Sequence, residues 1–206
     1  MRKFTIYNLQ FTILITILAF TFCINSVYAQ ENDIGQSKIY PTHPLYFLKS
    51  VKEILELKFA PTSEIKALRY LEFSQRRIKE VRSLVEAKRA DLIAPTLERY
   101  IFNLQKVMGL MDFKDEVKVR QLAEIISIHV QALDHLYSQI ESEPGKRAVR
   151  TTMFKLSELD NPPKNLSKFQ GRICDFLVKE ASGSALNEVE IVVLKERATL
   201  CFQGLK

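Results

Sequence analysis

The sequence has no tryptophan and little glycine or cysteine, which restricts the folds that it can form. Its 206 residues include 6 glycines, 7 prolines and 3 cysteines. Folds built mainly from loops need more glycine, and small exported domains held by disulfides need more cysteine. Two neighbouring segments with strand-like alternation are also missing. We therefore expect a fold built of helices.

Long uncharged apolar runs are absent after residue 24, and the run before it is typical of an export signal. Two basic residues precede the uncharged segment 11–24, and a Val-Tyr-Ala sequence follows it. This order predicts a signal peptide over residues 1–29, with cleavage between Ala29 and Gln30. The alternative is an uncleaved signal anchor, although a membrane span needs roughly 20 residues. Either way, the protein is expected to be exported and periplasmic, on the cell surface or secreted.

The rest of the chain divides by composition into three parts. Residues 30–39 are polar and are predicted to form a disordered tether. Residues 40–142 are predicted to form the main helical bundle, and residues 143–206 to pack on it or form a small subdomain. With 30 Lys and Arg against 24 Asp and Glu, the basic excess is too mild to indicate a nucleic-acid partner. Membrane contact is expected only through the signal segment, if that segment is uncleaved.

Apolar residues recur at helical spacing from residue 44 onward. The pattern predicts an all-α bundle of about seven helices, joined as helical hairpins. Asp112 is the expected cap of the fourth helix, whose apolar stripe is too wide for a two-stranded coiled coil. The third expected helix has Pro95 in its first turn and ends at about residue 111. The other expected helices cover about residues 44–59, 63–88, 112–141, 146–159, 162–181 and 185–202.

Two short motifs carry a resemblance to a known family. Residues 44–49 read Pro-Leu-Tyr-Phe-Leu-Lys, and residues 74–80 read Ser-Gln-Arg-Arg-Ile-Lys-Glu. Over about residues 40–140 the chain resembles the domain-of-unknown-function family 5667. Exported bacterial proteins of that family open with a Pro-Leu-Tyr-x-Leu-Lys helix, followed by an Ala-x-x-Arg-Leu-x-Glu helix. The resemblance implies an exported all-helical protein and brings no known activity.

The matched residues are expected to hold the first helical hairpin together. A turn near residue 60 places Tyr46 opposite Gln75, beside Ser74, and Arg77 opposite Pro44. Lys49 and Glu53 are one turn apart and can form an ion pair on one helix. We expect a structural clamp formed by Tyr46, Lys49, Glu53, Arg77 and Glu80. The functional alternative is a binding site built from Tyr46, Lys49 and Arg77, since tyrosine and arginine also dominate interface hot spots.

No catalytic, cofactor or metal site is predicted. A di-iron bundle needs Glu-x-x-His pairs, and no carboxylate precedes any of the three histidines by three residues. Cysteine pairs with zinc spacing and a Gly-x-Ser-x-Gly nucleophile turn are also missing. His129 interrupts an apolar stripe and is expected to be buried and neutral; a pH-responsive role is the alternative. His135 is expected to face solvent.

The two cysteines that follow the signal segment are predicted to be unpaired. If the last two helices turn near Gly183, Cys174 lies opposite about Val193. Cys201 would then be about 12 Å further along its helix, beyond the roughly 7 Å Cα separation that a disulfide spans.

The densest basic patch is a possible interaction surface, formed by Lys146, Arg147, Arg150 and Lys155. The alternative is an ordinary solvated helix face. The sequence favours an exported, non-enzymatic interaction module without a cofactor, whose partner is an unknown protein or surface polymer of the envelope. The alternatives are a helical enzyme or metal carrier with an unrecognised site, and a periplasmic chaperone-like protein.

Overall fold

Seven α-helices make up most of the protein, which a computed structural model describes over residues 34–159, 167–183 and 186–203. A short 3-10 helix, Ala90–Leu92, joins the second helix to the third. No strand occurs in these ranges, so the all-α prediction is confirmed. The expected signal peptide and its cleavage site lie outside the described residues. The helices are α1 Tyr46–Lys58, α2 Ser63–Glu86, α3 Ile93–Leu110, α4 Glu116–Gln139, α5 Glu143–Ser157, α6 Ser167–Ala181 and α7 Glu188–Gln203.

One hydrophobic core joins α2 through α7. The helices α2 and α3 form its centre, with α4 and α5 packed on that pair and α6 and α7 added beyond them. The apolar stripes seen in the sequence supply the side chains, because residues three and four apart lie on one helix face. Among the fully buried members are Ile78, Leu84, Leu97, Tyr100, Leu104, Ile126, Leu133 and Met153.

Two helix starts illustrate how local sequence sets the element bounds. The Thr62 hydroxyl accepts a hydrogen bond from the Ile65 amide (3.2 Å) and caps α2. At α4, the cap is Asp115 rather than the expected Asp112, because Asp115 accepts from the second and third amides of the helix. Asp112 instead accepts from the Lys114 amide in the preceding turn.

Residues 34–39 of the expected disordered tether lie against α2, whereas residues 30–33 of it lie outside the described part of the chain. Ile34 is buried, and its carbonyl accepts a hydrogen bond from the Arg82 guanidinium (2.7 Å). The Ser37 amide donates to the Ser83 hydroxyl, which donates back to the Ser37 carbonyl; both distances are 3.0 Å. The prediction of disorder rested on the polar composition of this segment. It did not consider that polar groups of a distant helix could bind the segment.

Cys174 and Cys201 form a disulfide, with their Cα atoms 5.6 Å apart. The prediction that they stay unpaired is wrong, because it assumed a tight turn at Gly183. The helix α6 ends at Ala181 and α7 begins only at Glu188, so six residues of sequence separate the two helices. The disulfide places Cys201 where a tight turn would place Val193, which is a difference of eight residues in register.

Candidate functional site

The first helix, α1, is oriented in the opposite way to an ordinary amphipathic surface helix. None of its residues is fully buried. Its polar side faces the bundle, whereas its apolar side faces outward. The sequence explains the first half of this arrangement: Tyr46, Lys49 and Glu53 are three and four residues apart and so share one helix face. That face docks on α2 through charged groups instead of an apolar seam.

Tyr46 is the centre of the docking contact. Its hydroxyl accepts hydrogen bonds from Arg77 (2.5 Å) and from Arg99 of α3 (3.0 Å). It donates to the Glu80 carboxylate at 3.2 Å. Burial, followed by the nearby Glu80 charge, raises the pKa of this phenol above its ordinary value. One tyrosine therefore joins three helices and remains neutral at physiological pH.

Glu80 and Arg77 provide the buried charges beneath Tyr46. Glu80 is fully buried and accepts from Lys49 (2.5 Å) and from Arg77 (2.9 Å). Arg77 is only 2% exposed and also pairs with Glu53. Among these four charged groups, two acids thus face two bases, and the Arg99 guanidinium adds a positive charge at Tyr46. Burial of such a pair is tolerated only when hydrogen bonds compensate the lost hydration, and here Tyr46 supplies part of that compensation.

Lys49 connects the same cluster to the start of the described chain. Its ammonium donates to the Ser37 hydroxyl (3.2 Å) and to the Ile39 carbonyl (3.0 Å), besides Glu80. The three donors of a lysine are therefore all used. This contact explains why residues 37–39 stay beside α2.

The structure brings together all five residues that the sequence assigned to the clamp. Tyr46 is partly buried and contacts Arg77, as expected. The expected pair between Lys49 and Glu53 is replaced by cross-helix pairs: Lys49 binds Glu80, and Glu53 binds Arg77. Both side chains prefer these partners because pairing across the hairpin also satisfies the buried charges of α2.

Sequence reasoning missed two outer members of the cluster. Arg99 reaches Tyr46 from α3, and Arg76 pairs with Glu56 at 3.2 Å. Arg76 lies within the second family motif and Glu56 lies after the first. The spacing of charged residues along each helix did not separate them from ordinary solvent-exposed residues. Arg76 also lies 3.5 Å from Glu53, so it holds both carboxylates of α1 on the inner side.

The apolar side of α1 is exposed, and we call it the outer face. Its members are between 45% and 76% exposed, the most exposed being Phe59, directly after the helix. Side chains of this size expose on the order of 600 Å² together. Monomeric proteins rarely leave a larger continuous apolar patch uncovered unless it is an interaction site. The outer face consists of Phe47, Leu48, Val51, Ile54, Leu55 and Phe59.

A second cluster repeats the chemistry of the clamp in the other half of the bundle. The Tyr137 hydroxyl accepts from Arg150 (3.0 Å) and donates to Glu180 of α6. Arg150, which is only 6% exposed, also pairs with Glu143. Burial, followed by the hydrogen bond to Glu180, raises the pKa of Tyr137 to about 12. Tyrosine, arginine and two glutamates again join separate helices.

The predicted basic patch does not form one exposed surface. Arg150 is buried in the second cluster, and Lys146 lies over the Tyr137 ring at 5.7 Å. Arg147 is exposed but pairs with Glu190 at 2.8 Å. Lys155 lies further along α5, where it lines a groove together with Arg147 and borders an open cleft of about 730 Å³ with Glu98 and Phe102. Arg147 and Lys155 thus share a surface, but the four bases do not form one patch.

His129 is fully buried, as the sequence predicted, and His135 is exposed. The Nδ1 atom of His129 lies 3.4 Å from the Tyr100 hydroxyl, and its Nε2 atom has no partner among the described residues. Burial lowers the pKa of His129 to about 3. The ring is thus neutral at physiological pH and packs edge to face on Tyr100.

Two further kinds of site are absent from the same described ranges. No group of three histidine, cysteine, aspartate or glutamate side chains there could hold a metal ion. Within those ranges, none of the helices combines the length and the hydropathy needed to cross a lipid bilayer.

The fold and the clamp define a class: an all-α protein whose first hairpin is closed by a buried tyrosine, arginine and glutamate cluster. The model of the family described as Domain of unknown function (DUF5667) matches residues 38–143. The chain belongs to this family, and the match includes every member of the clamp. Neither a curated protein nor a solved structure matches the chain.

Proposed function

We propose that the protein is an exported, non-enzymatic interaction module of the cell envelope or extracellular space, which binds through the outer face of α1. The observation that carries this proposal is the inverted placement of α1. Its polar side is used to dock on α2 and α3, and its apolar side is left uncovered. An ordinary surface helix would gain stability by burying that apolar side.

The clamp supports the proposal because it fixes the orientation of the exposed face as long as α1 is docked. The cross-helix ion pairs and the Tyr46 hydroxyl fix the rotation of α1 about its axis. A preorganised apolar face loses less conformational entropy on binding than a mobile segment does. The clamp residues themselves are mostly buried, so we assign them a positioning role rather than direct contact with a partner.

The amount of material that the immobilised protein captures from an envelope extract tests this proposal. We expect Ile54→Ser combined with Phe59→Ser to lower the amount of captured material at least several-fold. The matched control is Val192→Ser, because Val192 is 63% exposed on α7 and lies outside the outer face. Circular dichroism should show unchanged helix content for both variants. Equal capture by wild type and the double variant would show that the outer face is not the binding surface.

A chaperone-like activity is a second candidate, favoured by the size of the exposed apolar surface. The outer face is a single convex helix, whereas a chaperone that encloses unfolded chains is better served by a concave surface. Suppression of aggregation of an unfolded client protein measures this activity. A stoichiometric suppression that Phe59→Ser abolishes would favour the chaperone over a module with one specific partner.

A helical enzyme or metal carrier is the remaining alternative, and elemental analysis of the purified protein addresses it directly. A metal bound at one equivalent per chain would overturn the proposal of a non-enzymatic module. The expected export is tested separately by the intact mass of the protein recovered from the producing cell, which should correspond to a chain beginning at Gln30.

A further inference from the structure

The charges around the outer face are all of one sign on α1. Lys58 is exposed within the face. Lys52 lies at its edge, where 71% of its side chain is exposed and its ammonium is 3.7 Å from the Glu56 carboxylate. Lys66 is exposed at the start of α2. Of the two carboxylates of α1, only Glu56 reaches one of these bases, Lys52, and it does so from the inner side. The surface therefore combines half-exposed aliphatic and aromatic side chains with lysines.

The clamp produces this asymmetry. Glu53 and Glu56 are the only acids of α1, and both side chains are less than 20% exposed because they pair with Arg76 and Arg77. Glu64, at the hairpin tip, pairs with Lys118 at 2.5 Å. The negative charge near α1 is thus either buried or compensated, whereas the lysines of the outer side remain accessible.

We infer that the outer face of α1 binds the surface of a lipid bilayer that contains anionic lipids. This inference rests on the proposed function and names the partner of the same face. A helix lying in the interface inserts its apolar side chains between head groups and acyl chains. Lysine stems are long enough to keep their ammonium groups at the level of the phosphates. Each such lysine adds about 1 kcal/mol on an anionic surface.

Charge complementarity distinguishes this partner from a second copy of the chain. A two-fold contact would place the same surface on both sides of the interface. Lys52 and Lys58 of each copy would then meet lysines and apolar groups, and the outer face of the other copy would offer them no carboxylate. Like charges brought together in an interface oppose association. An anionic lipid surface offers the opposite charge at every position of the helix.

The absence of tryptophan from the chain allows a test that reports on this face alone. Phe59→Trp places the single tryptophan at the most exposed position of the outer face. The matched control is Phe102→Trp, at a phenylalanine that is 51% exposed on α3. The full chain is mixed with vesicles of phosphatidylcholine, with or without phosphatidylglycerol. A retained signal segment would hold both variants on vesicles but would not change what each tryptophan reports.

We expect the emission of Phe59→Trp to shift to shorter wavelength, with several-fold weaker quenching by acrylamide, on vesicles that contain phosphatidylglycerol. The emission of Phe102→Trp should not change. Adding Lys58→Gln to Phe59→Trp should lower the apparent affinity about fivefold, as the loss of one interfacial lysine predicts. Added salt should weaken binding in the same direction.

Three outcomes would overturn the inference. One is unchanged emission of Phe59→Trp on both kinds of vesicle. Another is an equal shift on neutral vesicles with no effect of Lys58→Gln. The third is a shift without vesicles that grows with protein concentration, which would identify a second copy as the occupant. If no vesicle effect occurs while envelope capture still depends on Phe59, the inference fails and the proposed interaction function stands. If the vesicle effect and the dependence of envelope capture on Phe59 are both absent, the proposed function is contradicted as well.

Discussion

His129 shows how a single buried titratable group affects stability. In the folded protein its pKa is lowered to about 3, whereas the unfolded chain has an ordinary value near 6.5. Below about pH 6.5 the unfolded state therefore binds a proton that the folded state excludes until about pH 3. Stability due to this group is complete above pH 6.5 and is lost as pH falls through that window.

We expect His129→Leu to remove this pH dependence. Wild type should lose up to about 1.4 kcal/mol of unfolding free energy per pH unit more than the variant between about pH 6 and pH 4. At pH 7 the leucine should change stability by less than about 2 kcal/mol, whereas His129→Asp buries a charge and should cost more. Urea melts at several pH values measure both effects. A harmless aspartate would mean that this face of α4 is not buried in solution.

Tyr46 makes a larger energetic contribution than its partial exposure suggests, because its hydroxyl serves two arginines and one glutamate. We expect Tyr46→Phe to cost about 1–2 kcal/mol of unfolding free energy and Tyr46→Ala about 3 kcal/mol. The control is Tyr70→Phe, since the Tyr70 hydroxyl forms no hydrogen bond with any described residue and its ring packs on Phe73 and Phe102. Thermal melts of the three variants test this ranking. A Tyr46→Ala protein that melts like wild type would exclude the clamp as a structural device.

At the residue scale, the motifs shared with the family and the register of the first hairpin identified the clamp members but not their partners. Residues on one face of α1 and on one face of α2 were expected to meet, and they do. Which acid pairs with which base depends on how far each helix is rotated about its axis, and a rotation of this kind is not encoded in spacing. Glu180 of the second cluster was missed for the same reason, because it lies far along the chain from Tyr137.

At the element scale, one glycine is required by close packing. A Cβ atom added at Gly145 would lie 2.7 Å from Ile140 Cγ2 and 2.9 Å from Ser142 Oγ, in the first turn of α5. Gly145→Ala should therefore destabilise the protein by about 1–3 kcal/mol, as overpacking does. The matched control is Gly109→Ala near the end of α3, where the new Cβ meets nothing within 4 Å.

The control should change stability in the opposite direction. An alanine inside a helix is favoured over glycine by about 1 kcal/mol, so Gly109→Ala is expected to raise the melting temperature. Denaturant melts of both variants measure the difference. Equal effects of the two substitutions would show that the approach of Ile140 to the start of α5 is looser than the structure indicates.

The disulfide is the second element-scale feature, since it joins α6 to α7 across 27 residues of sequence. Closing a loop of this length stabilises a protein by about 3–4 kcal/mol in the chain-entropy account. Reduction should lower the unfolding free energy by that order, and a Cys174→Ala, Cys201→Ala variant should not respond to reductant. Free thiols at both positions in peptides from the denatured, unreduced protein would contradict the pairing.

The existence of each helix was predictable from the sequence, whereas the register of one helix against its neighbour was not. The positions of the seven helices followed from apolar periodicity and from proline, glycine and capping residues. The register of α6 against α7 depended on a loop whose length was misjudged by a few residues, and the disulfide prediction failed with it. The inverted orientation of α1 was also not predicted, because a sequence with an apolar and a polar side does not say which side faces the bundle.

At the scale of the whole molecule, stability is distributed unevenly. The helices α2 and α3 lie at the centre of the core, whereas α1 has no fully buried residue and is held by polar contacts. Polar docking contributes less net stability than apolar burial, because the same groups are well hydrated when the helix detaches. We therefore expect α1 to open locally, at a lower free energy than unfolding of the core.

Native-state hydrogen exchange tests this difference between α1 and the core. Central amides of α1 should be protected at least about tenfold less than those of α3, which corresponds to 1.4 kcal/mol or more. Tyr46→Ala should remove most of the remaining protection of α1, whereas α3 should stay folded and slow. Binding of the outer face to its partner should have the opposite effect and raise the protection of α1, because bound α1 cannot detach. Equal protection of α1 and α3 in the free protein would show that the clamp joins this helix to the core as one cooperative unit.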